Sequence, residues 1–289
     1  MINKFRLSAN VYERETEDEQ VLPEKIYFLS VEGNLTEKEY FDGISKHRHQ
    51  LGINSRVNVE TLGRSRTDTN SAPQKVIELL EEYLLLREIA PDRLTDEIPP
   101  ELIDRFGTDF ISMYIDNSPD IDKEKADELT IELTKVGYDL KYRQYLKKYN
   151  NEIDEFCILI DRDAKCHSIS NMTTCIEHCY QNGYRCFIAN PCFEFWLLLH
   201  LSDVKTEYSD HFEDIRENAK VSYQHTYVSK EVSLKAHHNK SNINFVENYL
   251  PNVSKAIDRA KDFAVSSEDL IENIGCNLCQ LLEEMRSFS

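Results

Sequence analysis

Residues 26–31, IYFLSV, run into Glu32-Gly33, and residues 156–160, FCILI, run into Asp161-Arg162-Asp163. Apolar runs this short, bounded by polar residues, read as strands buried on both faces of an α/β sheet. Open sheets of that kind place their ligands just past the strand ends, which is where both acidic groups fall. Two aspartates two positions apart repel each other unless a cation or a basic partner balances them. Hard divalent cations take oxygen ligands, and Mg²⁺ is often held by one or two carboxylates together with phosphate oxygens. The pattern points to a cation site and to phosphoryl-transfer chemistry. The competing reading of Asp-Arg-Asp is a polar loop closed by salt bridges.

Working outward, Gly33-Asn34 makes a turn, and Thr36 caps a helix with Glu39 completing a capping box and Leu35 and Tyr40 forming a hydrophobic staple. Residues 57–62 alternate as a second strand. A polar stretch over 63–71 then leads to a helix from Pro73 to about residue 89. Pro91, Pro99, Pro100 and Pro119 break the pattern over 91–130, which reads as inserted chain, with 111–115 as a short strand. Residues 138–149, YDLKYRQYLKKY, form a basic, aromatic helix. Beyond Asp163 a helix over 170–181, a strand over 184–188, a turn at Asn190-Pro191 and an apolar helix over 193–200 follow. This alternation predicts a mostly parallel α/β sheet with helices on both faces. The expected organisation is a flexible N-terminal arm at 1–24, an α/β domain at 25–201 with an insertion at about 91–150, and a mainly helical C-terminal region at 202–289. Helices in that last region are expected near 209–220, 241–262 and 268–286.

The chain has 289 residues, 40% of them hydrophobic and 30% charged, which suits one large α/β domain with an appendage, or two domains. A net charge of −18 argues against uniform counterion binding along a duplex, while leaving room for a local basic groove or a bridging divalent cation. No run of 18 apolar residues occurs, and the opening segment lacks the apolar core of a signal peptide. The eight cysteines fall mostly in apolar segments, with Cys157, Cys186 and Cys192 as small core residues. Reduced thiols and a cytoplasmic location are expected.

Three motifs then resemble the RloB-like family, which accompanies bacterial restriction and phage-defence loci. They are Val31-Glu32-Gly33 with Thr36-Glu37 and Tyr40-Phe41, then Asp161-Arg162-Asp163, and then the block from Asn190-Pro191-Cys192-Phe193-Glu194 to His200. The resemblance covers about 25–201 well and the tail poorly. A late Asn-Pro-Ser-Thr-like segment of the family has its counterpart near residues 273–277, with a large departure. The first two motifs are also similar to those of the Toprim fold of topoisomerases, primases and overcoming-lysogeny-type nucleases. That resemblance implies Mg²⁺ or Mn²⁺ as cofactor, with Glu32, Asp161 and Asp163 as catalytic and metal-binding residues and Glu32 as the acid–base. Glu194 reads either as a further metal ligand or as a residue that caps the helix amides or pairs with a basic residue. Lys165 and His167 read as phosphate contacts or as loop residues facing solvent.

Arg64 and Arg66 follow the second strand and are the expected backbone-phosphate contacts. The helix with Lys141, Tyr142, Arg143, Tyr145, Lys147 and Lys148 either stacks bases or covers the domain. Lys230, Lys235, His237, His238 and Lys240 form a second basic stretch. His200 reads as a satisfied histidine at the edge of an apolar helix. Cys175, Cys179, Cys276 and Cys279 would make a structural zinc site only if brought together. No Walker loop, serine elbow or His-Glu-x-x-His motif is present. The expected function is a metal-dependent endonuclease acting on DNA or RNA, transfer RNA included, in anti-phage defence. The alternative is a non-catalytic nucleic-acid- or nucleotide-binding subunit, or a protein-interaction subunit. The partners implied are nucleic acid, with a defence-system protein or further copies of the chain beside it, and no membrane.

Overall fold

Alternation within the apolar strands decides which helices cover which face. The computed structural model describes residues 24–33, 35–62, 73–88, 98–116, 118–135, 152–236 and 243–288. Strand β1 (Lys25–Val31) leads into helix α1 (Thr36–Lys46), strand β2 (Val57–Leu62) into α2 (Pro73–Glu88), and β3 (Glu155–Asp161) into a later helix, Ile169–Gln181. With β4 at Arg185–Asn190 and β5 at Gly275–Cys276, the sheet order is β2-β1-β3-β4-β5. The first four strands are parallel, and the two-residue edge strand pairs antiparallel with β4.

Tyr27, Leu29 and Val31 of β1 and Cys157 and Leu159 of β3 point to one face; Ile26 and Phe28, with Phe156, Ile158 and Ile160, point to the other. Each set lies in its own hydrophobic cluster, so both faces are covered and the strands read as continuous apolar runs. Ser30 is the polar exception on β1, and its hydroxyl donates to the Val76 carbonyl at 2.9 Å, tying α2 to the sheet. Helix α1 and the C-terminal helices share the first cluster, so residues beyond 202 help build the same core as the sheet.

Between α2 and β3, α3 (Pro100–Phe106), α4 (Thr108–Ile115) and α5 (Lys123–Lys135) pack around Leu102, Phe106, Ile111, Tyr114, Leu129 and Leu133. The strand expected at 111–115 is therefore helix. Ile111, Tyr114 and Ile115 fall at i, i+3 and i+4, which puts all three on the packed side of one helix and would split them across a strand. The arm at 1–23, the region after Leu62 that carries Arg64 and Arg66, and the basic helix expected at 138–149 lie outside the described residues. So do His237, His238 and Lys240.

After β3 come α6 (Ile169–Gln181), β4 (Arg185–Asn190), α7 (Phe193–Leu201), α8 (Tyr227–Ala236), α9 (Val253–Ala260), β5 (Gly275–Cys276) and α10 (Leu278–Ser287). Ser168 caps α6 by accepting the Asn171 N–H at 3.2 Å. Helix α8 lies outside the helices expected from the sequence. The helix expected over 241–262 is interrupted by a 3₁₀ turn carrying Pro251, and the one over 268–286 is split by β5. Gly275 passes so close to Ala264 that a Cβ there would lie 2.0 Å from its carbonyl oxygen. Asn277 extends that edge with its side chain: it accepts the Ile188 N–H at 2.7 Å and donates to the Cys186 carbonyl at 3.2 Å.

The capping box at α1 is replaced by a different device. Leu35 occupies the cap position, exposed and with no side-chain cap bond. Glu39 accepts the Ile243 N–H instead, at 3.0 Å.

Candidate functional site

Strands β1 and β3 are neighbours, and their register pairs Val31 with Leu159. Glu32 and Asp161 therefore leave the sheet side by side, although 129 residues separate them in sequence. Glu32 Oε2 accepts the Asp161 backbone N–H at 3.2 Å. Asp161 continues the parity of Cys157 and Leu159, so its side chain faces the layer that holds α7. Its Oδ1 accepts the N–H of Phe193, the first residue of α7, at 2.8 Å. A carboxylate at a helix N-terminus meets both an unpaired amide and the positive end of the helix dipole.

The Asn190-Pro191-Cys192-Phe193-Glu194 block is what places that helix. The Asn190–Pro191 peptide is cis. The Arg162 N–H donates to the Ala189 carbonyl at 2.8 Å and the Asp163 N–H to the Pro191 carbonyl at 3.0 Å, which continues the β3–β4 ladder past the strand ends. Asn190 is anchored by its amide, which donates to the Leu270 carbonyl at 2.8 Å. Two motifs remote from each other in sequence thus form one rim.

Asp163 turns the chain with a φ of +20°. Its carbonyl accepts both the Cys166 and His167 N–H groups at 2.9 Å, and its Oδ1 accepts the Lys165 N–H at 3.3 Å. Arg162 points away from the acids: its Nε donates to the Ile271 carbonyl at 2.5 Å and an Nη to the His167 carbonyl at 2.6 Å. Lys165 is exposed, whereas His167 is buried, and burial holds its imidazole below the usual histidine range.

A further carboxylate, Glu37, joins this group; the sequence placed it in the first motif but gave it no role in the site. It is buried, and its Oε1 accepts the Gly33 N–H at 3.1 Å, folding back over the turn. A Cβ on Gly33 would lie 2.0 Å from Glu37 Oε2, so glycine is what lets this carboxylate sit there. The signal was present as Glu-Gly-x-x-Thr-Glu, where the second glutamate falls one residue inside the helix. Burial, and then the fields of Glu32, Glu37 and Glu194, push the Asp161 carboxyl well above the usual carboxylate range; the Phe193 amide opposes them. Glu194 is half-buried on the first turn of α7 and lifts the buried Cys192 thiol as well, after burial itself.

These donors match a hard divalent cation in kind. All are carboxylates, and their mutual repulsion raises Asp161 in the way an added positive charge would reverse. Among the described residues no group of three or more histidine, cysteine, aspartate or glutamate side chains is arranged to hold a metal ion. Mg²⁺ does not require such a cage, because one or two carboxylates suffice when water and phosphate oxygens complete the shell.

The cysteines are not gathered. Cys175 and Cys179 lie in the cluster on one face of the sheet, and Cys276 and Cys279 in the cluster on the other, so the four-thiolate zinc arrangement is excluded. His200 is a satisfied core histidine. Its Nδ1 lies 2.9 Å from the Trp196 carbonyl and its Nε2 3.1 Å from the Tyr40 hydroxyl, which assigns the proton to Nδ1. Burial lowers its pKa to about 3 and keeps the ring neutral.

A mostly parallel sheet with helices on both faces, and acidic residues past the ends of two adjacent strands, defines a Toprim-like α/β protein. The chain belongs to the RloB-like protein family, whose match spans residues 27–285. No curated protein and no solved structure matches it. Among the described residues, no helix is long and apolar enough to cross a membrane.

Proposed function

We propose that this protein is a Mg²⁺- or Mn²⁺-dependent endonuclease that hydrolyses phosphodiester bonds of DNA or RNA in anti-phage defence. The observation that carries the reading is the meeting of Glu32 with Asp161 at the carboxyl end of the sheet, under the N-terminus of α7. Asp161, Asp163 and Glu32 would hold the cation, with Glu194 beside them on α7. A bound divalent cation supplies charge neutralisation at the phosphate and lowers the pKa of a coordinated water.

The chain's own residues supply the rest. Glu32 is the base that takes a proton from the attacking water or hydroxyl. The Phe193 amide and the α7 dipole keep Asp161 oriented and favour its charged form. Glu37 fixes the turn that carries Glu32. Lys165, exposed on the turn after Asp163, is the nearest described candidate for the scissile phosphate, with Arg64 and Arg66 as contacts further along the backbone. His167 supports that turn from within.

Asp163 favours a second reading, because its carboxylate already accepts an N–H of its own loop. In that reading the chain binds nucleic acid or a nucleotide without cutting it, as a subunit of a defence system. The test incubates the pure protein with plasmid DNA, single-stranded DNA and total transfer RNA, each with Mg²⁺, Mn²⁺ or chelator. Metal-dependent cleavage that disappears in Asp163→Ala supports the nuclease. Binding without cleavage under every condition, unchanged in Asp163→Ala, selects the second reading.

A further inference from the structure

At the opposite end of the sheet from the acidic site, the loop after α1 meets the start of α9 and the last turn of α10. Together they line a cleft of about 630 Å³, formed by Gln50, Leu51, Gly52, Leu250, Pro251, Ser254 and Arg286. That volume lies in the range of small-molecule sites. Its position is fixed by two contacts. Asn54, just before β2, donates to the Phe288 carbonyl at 3.4 Å, and Glu284, on the same last turns of α10 as Arg286, pairs with Arg185 at the start of β4.

Arg286 is the cationic residue of this cleft. Its Nε is buried with no hydrogen-bond partner, and its guanidinium makes a 3.2 Å bond to the Ser254 hydroxyl. Arg48 buries its Nε as well, and one of its Nη atoms donates to the Ser45 carbonyl at 2.9 Å. Arg56, Arg105, Arg185 and Arg216 pair with glutamates, and Arg162 and Arg259 donate to backbone carbonyls. A buried guanidinium nitrogen with nothing to donate to costs free energy unless an acceptor arrives, and in a chain of net charge −18 that cation stands out. The Ser254 hydroxyl is a second donor on the same wall. The amino end of α9 opens here as well, and Asn252 makes no side-chain cap bond to it. Leu51, Leu250 and Pro251 give the cleft an apolar side, and the Gln50 amide offers a donor and an acceptor at its edge.

We infer that this cleft binds a phosphorylated small molecule of the nucleoside monophosphate class. Its phosphate meets Arg286 and Ser254, and its ring lies against Leu51, Leu250 and Pro251 beside Gln50. The guanidinium fork suits two phosphate oxygens at once. The site is separate from the acidic rim, so it does not depend on the nuclease reading, and binding needs no divalent cation.

The test is calorimetric titration of the full chain in chelator with adenosine 5′-monophosphate, inorganic phosphate and adenosine. The chelator prevents any metal-mediated phosphate binding at the acidic end. The nucleotide is expected to bind, phosphate alone more weakly, and adenosine most weakly. Arg286→Gln should weaken the nucleotide roughly ten- to a hundredfold, Arg286→Lys less, and Ser254→Ala several-fold. Melting curves of each variant show that the fold is retained, and Ser254→Ala, on an exposed position, provides the reading if Arg286→Gln does not fold. Absence of nucleotide binding by the wild type at millimolar concentration overturns the inference, as does undiminished binding by both Arg286→Gln and Ser254→Ala.

Discussion

The two ends of the sheet carry charge in opposite ways. At the amino end, Glu155 lies between Lys25, at 2.5 Å, and Arg185, at 3.0 Å, and Arg185 also holds Glu284. Burial penalises the Glu155 carboxylate, yet the two cations hold it below the usual range. At the carboxyl end, Asp161 is also penalised by burial, but there the fields of three more carboxylates add to the penalty. The same strand, β3, carries both residues. One end uses charge to close the sheet, and the other concentrates charge that weakens the fold and suits a cation. Functional sites characteristically carry such a cost to stability.

The comparison is broken most directly at the carboxyl end. Glu32→Gln keeps the acceptor for the Asp161 N–H and removes one charge. Cleavage should fall on the order of 10³-fold, while the melting temperature of the metal-free protein rises. A nuclease assay with parallel melting curves reads both, and an active, destabilised variant would refute the roles given to Glu32. At the other end, Arg185→Met leaves Glu155 and Glu284 without their shared cation. It should cost about 1–2 kcal/mol in urea unfolding, discounted because these side chains are partly exposed, with cleavage per folded molecule unchanged.

Gly33→Ala separates geometry from charge. The new Cβ displaces the Glu37 carboxylate and its bond to the Gly33 N–H, at a cost of about 1 kcal/mol. A loss of roughly tenfold in activity is expected through the misplaced turn. Wild-type activity in this variant would remove Glu37 from the site.

The smallest effect is the dependence of stability on pH, where the two ends have opposite signs. The folded-state pKa of Glu155 lies below its ordinary value of 4.5, so its contribution is present above that pH and is lost as pH falls through the folded value. The folded-state pKa of Asp161 lies above its ordinary 3.8, so its contribution is present at low pH and declines as pH rises from there through the raised value. Urea midpoints measured from pH 3 to 8 should lose the acid-side slope in Arg185→Met. The decline on the other side should flatten in Asp161→Asn, and Mg²⁺ should offset it in the wild type.

Much of this architecture was legible in the chain. The runs 26–31 and 156–160 are buried on both faces, and Pro73 marks a helix start by local chemistry that needs no partner. The insertion was legible as a break in pattern, but its 111–115 segment was not, because five apolar-rich residues fit either period until Leu102 and Leu129 supply a surface to pack against. The cap at α1 misled for a similar reason: Glu39 had a distant partner, the Ile243 amide, that competes with the local box. Of the acidic residues, Glu32, Asp161 and Asp163 stood out because charge at a strand end is locally conspicuous. Glu37 did not, since a glutamate on the first turn of a helix is ordinary until it is seen buried.

By itself the sequence determined the four parallel strands, the burial of their apolar runs and the acids that follow two of them, since these depend on local hydrophobic pattern and turn chemistry. Only the tertiary structure decided that β1 and β3 are neighbours, that Asp161 meets the first amide of α7 and that Arg286 faces a cleft. Those facts depend on strand order and register, and a parallel sheet sets both through contacts between residues distant in sequence, 32 positions for Asp161 and Phe193 and 129 for Glu32 and Asp161, for which no local signal exists.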